Sequence, residues 1–102
     1  MEVQKYFLRN ATENDRELIF NWSNDELVRK NSFSEKKIEW DEHCAWYNVV
    51  IDDSNLFFYI LSDGKNDKGQ IRVKFEDDNN AIISYSIGKE YRGLGLGRLI
   101  LY

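Results

Sequence analysis

The chain has no proline, a single cysteine and a single histidine. It also has no apolar run of about 18 residues, the length that signals a bilayer-spanning helix. Each shortage removes a class of protein. Without such a run no membrane span is expected, and the first residues lack the apolar segment of a signal peptide. Cys44, being alone, excludes an internal disulfide and fits a reducing, cytoplasmic setting. No proline-rich or low-complexity stretch marks a linker, so residues 1–102 are read as one domain. Basic residues are also in short supply. Fourteen Lys and Arg stand against 18 Asp and Glu, a net charge of −4. A nucleic-acid partner is therefore not expected, because such surfaces carry a basic stripe.

What is present describes a globular chain with a core of large side chains: 42% hydrophobic, 31% charged and 15% aromatic. Val3 to Arg9 reads as a first strand. Thr12 and Asp15 resemble a capping box that opens a helix from Glu13 to Trp22. Ser23 and Asn24 are candidate caps for a short helix through Asp25–Arg29. From Glu39, Trp40, Cys44, Tyr47 and Ile51 form one helical stripe, and His43, Trp46 and Val50 form its neighbour. Leu56–Leu61 is an unbroken apolar run, expected to be a strand buried on both faces. Asp63-Gly64 and Lys68-Gly69 mark a turn or short loop. Ile71, Val73 and Phe75 then alternate with Arg72, Lys74 and Glu76, as in a half-buried strand. After a turn at Asp77–Asn80, a fourth strand runs from Ala81 to Ile87. Asp77-Asp78 and Asp52-Asp53 read as solvated turns, so no metal is expected.

The fourth strand delivers the chain to Tyr91-Arg92-Gly93-Leu94-Gly95-Leu96-Gly97-Arg98, followed by an aliphatic stretch. Glycines at alternate positions let a ligand approach the backbone, and the first amides of a helix suit phosphate. The spacing excludes two familiar cradles. A dinucleotide fingerprint needs Gly-x-Gly-x-x-Gly, whereas Arg98 stands at the third glycine's place. A P-loop needs Gly-Lys-Ser/Thr, whereas Gly97 is followed by Arg98-Leu99.

Arg92-x-x-Gly95-x-Gly97 resembles the acetyl-CoA signature of the GNAT superfamily of N-acetyltransferases. The order of elements resembles the first two-thirds of that fold: an α+β arrangement with a mixed, mostly antiparallel sheet and flanking helices. The sequence stops shortly after the glycine loop, so the resemblance implies a fragment or a truncated gene product. Thr12 with Asp15, Trp22–Asp25, Val28-Arg29 and Glu42–Trp46 are similar to a branch that acetylates amino groups of nucleotide-linked sugars.

The resemblance implies acetyl-CoA as co-substrate, held by Arg92, Gly93, Leu94, Gly95, Leu96, Gly97 and Arg98. Backbone groups around Tyr85, Ser86 and Ile87 would pair with pantetheine and polarise the acetyl carbonyl, which gives Tyr85 a catalytic part. Arg29, His43 and Trp46 become candidate contacts for a small-molecule amine, with His43 also a candidate general base. Other readings stand beside these: His43 satisfied by a backbone carbonyl, Trp46 as ordinary packing, Arg29 as an exposed helix residue. The other function class is a catalytically inactive module that binds CoA or self-associates. A nearly uncharged fourth strand at a sheet edge leads us to expect a homodimer.

Overall fold

The computed structural model describes residues 5–32 and 34–93. Strand β1 (Phe7–Asn10) is followed by a 3-10 turn (Glu13–Asp15) and three helices: α1 (Arg16–Ser23), α2 (Glu26–Lys30) and α3 (Trp40–Ile51). Strands β2 (Leu56–Ser62), β3 (Asp67–Phe75) and β4 (Ala81–Ile87) complete an antiparallel sheet of order β1-β2-β3-β4. Among the described residues no helix is long and apolar enough to cross a membrane.

The 3-10 turn that leads into α1 is fixed by the capping box that the sequence displays. The Thr12 hydroxyl accepts the Asn14 N–H, and the Asp15 carboxylate accepts the Thr12 N–H at 2.8 Å. Asp15 also receives two hydrogen bonds from the Arg9 guanidinium, at 2.7 and 2.9 Å, which tie the turn to β1. The cap of α2 differs from expectation: Asp25, not Ser23 or Asn24, accepts the Val28 N–H. Asn24 is engaged elsewhere. Its amide both donates to the Ile38 carbonyl and accepts the Ile38 N–H, at 2.9 and 2.7 Å, and so anchors the segment leading into α3.

The helices lie on one face of the sheet. Ile19 of α1 and Tyr47 of α3 pack on Phe58 and Ile60 of β2, and all four are buried. The Tyr47 hydroxyl donates to the Thr12 carbonyl, so the one polar atom of this large core residue is satisfied. On the opposite face, Leu61 and Ile71 form a second cluster with Tyr59, Val73, Ile87 and Tyr91. Strand β2 is therefore buried on both sides over most of its length, but not at Phe57, which is 46% exposed near the strand's open end.

Register decides what β3 offers to each face. Phe58 stands opposite Arg72 and Ile60 opposite Gln70, so these two polar side chains share the helical side of the sheet with the core. Ile71 and Val73 point the other way. Alternation along β3 was legible, but its orientation is reversed from a simple apolar-inward reading. Lys68-Gly69, expected in the turn, belong to β3 itself. Lys68 is buried there, its ammonium 3.5 Å from Asp63 and over the Tyr91 ring. The turn is made by Asp63-Gly64, where Gly64 takes a positive φ of 92°.

Candidate functional site

Strand β4 has one side paired to β3 and, among the described residues, one side open. Two hydrogen bonds show which groups face which way. The Gly88 N–H donates to the Lys68 carbonyl at 2.8 Å, and the Glu76 N–H to the Asn80 carbonyl at 2.9 Å. Backbone groups of residues in step with Gly88 and Asn80 therefore belong to the ladder, and those of Ile83, Tyr85 and Ile87 project to the free edge. The Ile87 carbonyl does so visibly, accepting the Arg92 Nε–H at 3.1 Å.

This parity divides the residues predicted at the end of β4. Tyr85 and Ile87 present main-chain groups at the open edge. Ser86 does not, because its amide and carbonyl are directed at Gln70, its partner in β3. Its hydroxyl instead takes a hydrogen bond from the Gln70 Nε2 at 3.2 Å. The Tyr85 ring shares the sheet face of Ile83 and Ile71, across the sheet from Ser84 and Ser86, so Tyr85 serves the edge through its backbone.

A groove of about 690 Å³ runs between this edge and the α1–α2 segment. Its polar wall is made by Gln70, Arg72, Ser84 and Ser86, and its opposite side includes Arg29. Among the described residues its lining contains Arg29, Arg72 and Arg92 and no carboxylate. Arg92 is neutralised from behind: its Nη2 donates to Asp25 at 2.6 Å. Arg92's hydrogen bond holds the Asp25 carboxyl below the usual carboxylate range, against an opposing effect of burial. Arg29 turns three of its N–H groups onto the Ser23 and Ser34 carbonyls and the Ser32 hydroxyl, bracing the end of α2. Arg72 is different. It makes no hydrogen bond or ion pair with any described residue, and its Nε is buried without a partner. Its guanidinium lies beside rings, 4.9 Å from the centre of Trp46 and 5.7 Å from that of Phe58. Burial lowers its basicity from the ordinary arginine value.

A smaller cavity of about 240 Å³ brings together Arg29, His43 and Trp46, the three predicted acceptor contacts, along with Arg72 and Glu42. His43 is 1% exposed and sits among the rings of Phe20, Trp40, Trp46 and Tyr47. Its Nε2 lies 2.8 Å from the Arg16 carbonyl. A carbonyl only accepts, so Nε2 carries the proton and the neutral ring keeps its lone pair on Nδ1. Burial lowers the His43 pKa below 6.5 and outweighs the Arg16 carbonyl, which favours the charged ring. Of the residues assigned to a phosphate cradle, Arg92 and Gly93 are described, and Gly93 takes a positive φ of 82°. Leu94, Gly95, Leu96, Gly97 and Arg98 lie outside the described residues. Among the described residues no group of His, Cys, Asp or Glu is arranged to hold a metal ion.

Gln70 and Arg72 were not singled out from sequence, and Glu42 was noted there only within the Glu42–Trp46 stretch, without a role at the site. The signal for the first two was present but needed a second strand to be read. Only pairing β3 against the two-sided strand β2 shows that Gln70 and Arg72 face the helices.

No family model matches the chain. Over 103 aligned residues it is 34% identical to an uncharacterized protein of Methanocaldococcus jannaschii, covering 95% of this chain and 21% of that protein. Among solved structures, it resembles a spermidine N-acetyltransferase of Vibrio cholerae, determined with CoA and spermine. The TM-score is 0.81 and the identity 24%, over 94% of this chain and 59% of that one. An acetyltransferase of Thermus thermophilus matches with a TM-score of 0.80 at 18% identity, over 99% of this chain and 68% of that one. A domain from Methanocaldococcus jannaschii matches with a TM-score of 0.79 at 23% identity, over 95% of this chain and 65% of that one. The chain thus spans about a fifth of the curated relative it matches and 59% of the Vibrio enzyme. At these identities it is the architecture that is shared: the chain has the GNAT-like α+β fold, with a four-stranded antiparallel sheet and flanking helices.

Proposed function

We propose that this chain provides the cofactor edge and acceptor groove of an N-acetyltransferase acting on a primary amine of a nucleotide-linked sugar. The observation that carries this reading is the groove beside the open edge of β4, lined by arginines and, among the described residues, by no carboxylate. A polycation such as spermine would meet like charge there, whereas an amine that also carries phosphate would meet complementary charge. The reducing setting that suits Cys44 makes the cytoplasm its proposed location.

Acetyl-CoA supplies the acetyl group as a thioester, whose carbonyl carbon is open to attack by an amine. The residues present fit such a ligand. The outward N–H groups of Ile83, Tyr85 and Ile87 offer a strand edge to an extended amide-bearing chain, and they are donors for a carbonyl oxygen that gains charge. Gly93, already in the left-handed region, and the 94–98 segment are assigned to the pyrophosphate. The acceptor ammonium must lose a proton before its nitrogen can attack. His43 is neutral with a free Nδ1, and Glu42 shares its cavity, so both are within the proposed acceptor site as proton-accepting groups. Trp46 and Arg29 form the wall against which the sugar nucleotide is held.

The test is binding and turnover measured side by side. Calorimetry is expected to show CoA binding that Gly95→Val abolishes, with the far-UV circular dichroism unchanged. Release of CoA thiol is expected with UDP-glucosamine in preference to spermine. Unchanged CoA affinity in Gly95→Val would remove the cradle assignment, and a preference for spermine would remove the anionic acceptor.

A further inference from the structure

Among the described residues, Arg72 holds a buried Nε–H without a hydrogen-bond partner. A charge drawn out of water is ordinarily paired, and an unpaired buried polar atom in a native fold calls for an explanation such as an absent ion. Arg72 borders the 690 Å³ groove, the 240 Å³ cavity and a third cavity of about 190 Å³ on the Trp46 side of β4. The two carboxylates that share these cavities do not pair with it. Asp53, in the third, is 3.9 Å from Lys74. Glu42, in the second, is exposed and makes no ion pair with a described residue. On one side the guanidinium lies against the Trp46 ring, which restrains its plane without consuming any N–H donor. Gln70, next along the same face, also holds a buried atom without a partner, its Oε1. An unfilled donor and an unfilled acceptor thus stand together on one wall of the groove.

We propose that Arg72 is the anion anchor of the acceptor groove, receiving phosphate oxygens of the acceptor while Gln70 Oε1 accepts a sugar hydroxyl. The proposal rests on the reading of this groove as the acceptor site. It adds a specificity-determining residue that the glycine loop and helix motifs do not indicate. Arginine suits the task because its planar fork can meet two oxygens at once and it keeps its charge at any physiological pH. Arg29 has much of its fork committed to the α2 loop, so Arg72 holds the larger share of unused donors in the groove.

The experiment uses the whole chain with inorganic pyrophosphate, then with paired acceptors. In the 15N-labelled wild type, the Arg72 Nε–H resonance is expected to shift saturably on titration with pyrophosphate. The Arg16 Nε–H, equally unpaired but bordering neither the groove nor the two smaller cavities, is expected to stay fixed. Absence of an Arg72 shift at millimolar pyrophosphate overturns the proposal without recourse to any variant. Turnover of UDP-glucosamine in Arg72→Gln is expected to fall in kcat/KM by roughly tenfold to a hundredfold, the range for a lost hydrogen bond to a charged group. Turnover of unphosphorylated glucosamine should hold, and Arg72→Lys should recover part of the loss. Equal losses with both acceptors mean that Arg72 only supports Trp46. A fall in CoA affinity in Arg72→Gln would assign the anion to the cofactor instead. Either outcome overturns the acceptor anchor while leaving acetyl transfer itself intact.

Discussion

Arg92 and Asp25 are 67 positions apart and joined by a 2.6 Å hydrogen bond, and each has a second duty. Asp25 caps α2, and Arg92 grips the last carbonyl of β4. The segment entering the glycine loop is thereby fastened to the helix that walls the groove. Asp25→Ala should cost about 1–3 kcal/mol, combining the lost cap with the lost charged bond. Asp25→Asn preserves the cap, since Asn serves that position as well, and should lose less than about 1 kcal/mol while still lowering CoA affinity. Urea unfolding and calorimetry on the two variants separate these contributions. Equal stability losses would show that the cap is not the difference between them.

Gly69 of β3 stands opposite Ile87 of β4. A methyl group added there would stand 2.7 Å from the Ser86 carbonyl oxygen and 2.9 Å from the Ile87 side chain. Backbone cannot swing aside as a side-chain tip can. Gly69→Ala is expected to destabilise the chain by about 1–3 kcal/mol through overpacking. It should also displace β4, seen as loss of amide-exchange protection in β4 with that of β2 retained. Wild-type stability would mean that the two strands part more readily than their register implies.

His43 makes stability depend on pH in a defined direction. Its folded pKa lies below the ordinary 6.5, because burial opposes the charged ring. Between the folded value and 6.5 the unfolded chain takes up a proton that the folded chain refuses. Its contribution is therefore complete above about pH 6.5 and is lost as pH falls through the folded value. Urea midpoints for the wild type should decline between pH 8 and pH 5, and His43→Phe should show a shallower decline across that window. Parallel slopes would remove His43 as the source.

Asp15 acts in a lower window. Burial alone would raise its pKa, but the Arg9 hydrogen bonds, followed by the Thr12 amide, prevail and lower it from 3.8. Its contribution is present above 3.8 and disappears as pH falls through the lower folded value. Asp15→Asn keeps the volume and loses the charge, at an expected cost of about 1–3 kcal/mol at pH 7. The difference from wild type should narrow as pH falls below 3.8 and through the lower folded value, which acid-range unfolding curves would show.

The open side of β4 carries the last expectation. Ile82 and Ile83 are each 56% exposed, and neither proline nor lysine interrupts the strand. Such an edge accepts another strand readily. Light scattering of the chain alone should give a mass that rises with concentration above 12.2 kDa. A constant 12.2 kDa would exclude edge association in solution.

Much of this architecture was legible before the structure, and for identifiable reasons. Element order followed from turn residues and period. The α3 stripes correctly placed His43 and Tyr47 toward the core, because a helical face needs only spacing to be found. Arg29, His43 and Trp46 do meet around one cavity. Arg72 was not legible, since alternation along a strand tells which residues share a face but not which face looks inward. That is settled by pairing with β2, a contact between distant positions. The same limit concealed the division of labour between Tyr85 and Ser86, which depends on hydrogen-bond parity. Asn24 was assigned as a cap because its chemistry allows it, while Asp25 one place on did the capping and left Asn24 free for Ile38.

The five residues 76–80 between β3 and β4 look like inert connective tissue, yet their number sets the chemistry of the groove. Lengthening or shortening that hairpin by one residue, with β3 held in place, would advance β4 by half a pleat. Ser84 and Ser86 would rotate to the apolar face, Ile83, Tyr85 and Ile87 would turn their side chains into the groove, and the exposed backbone donors would pass to the alternate set. The character of the whole wall is thus counted out by a turn that touches nothing in it. A length change there is therefore a more drastic edit than most substitutions within the site.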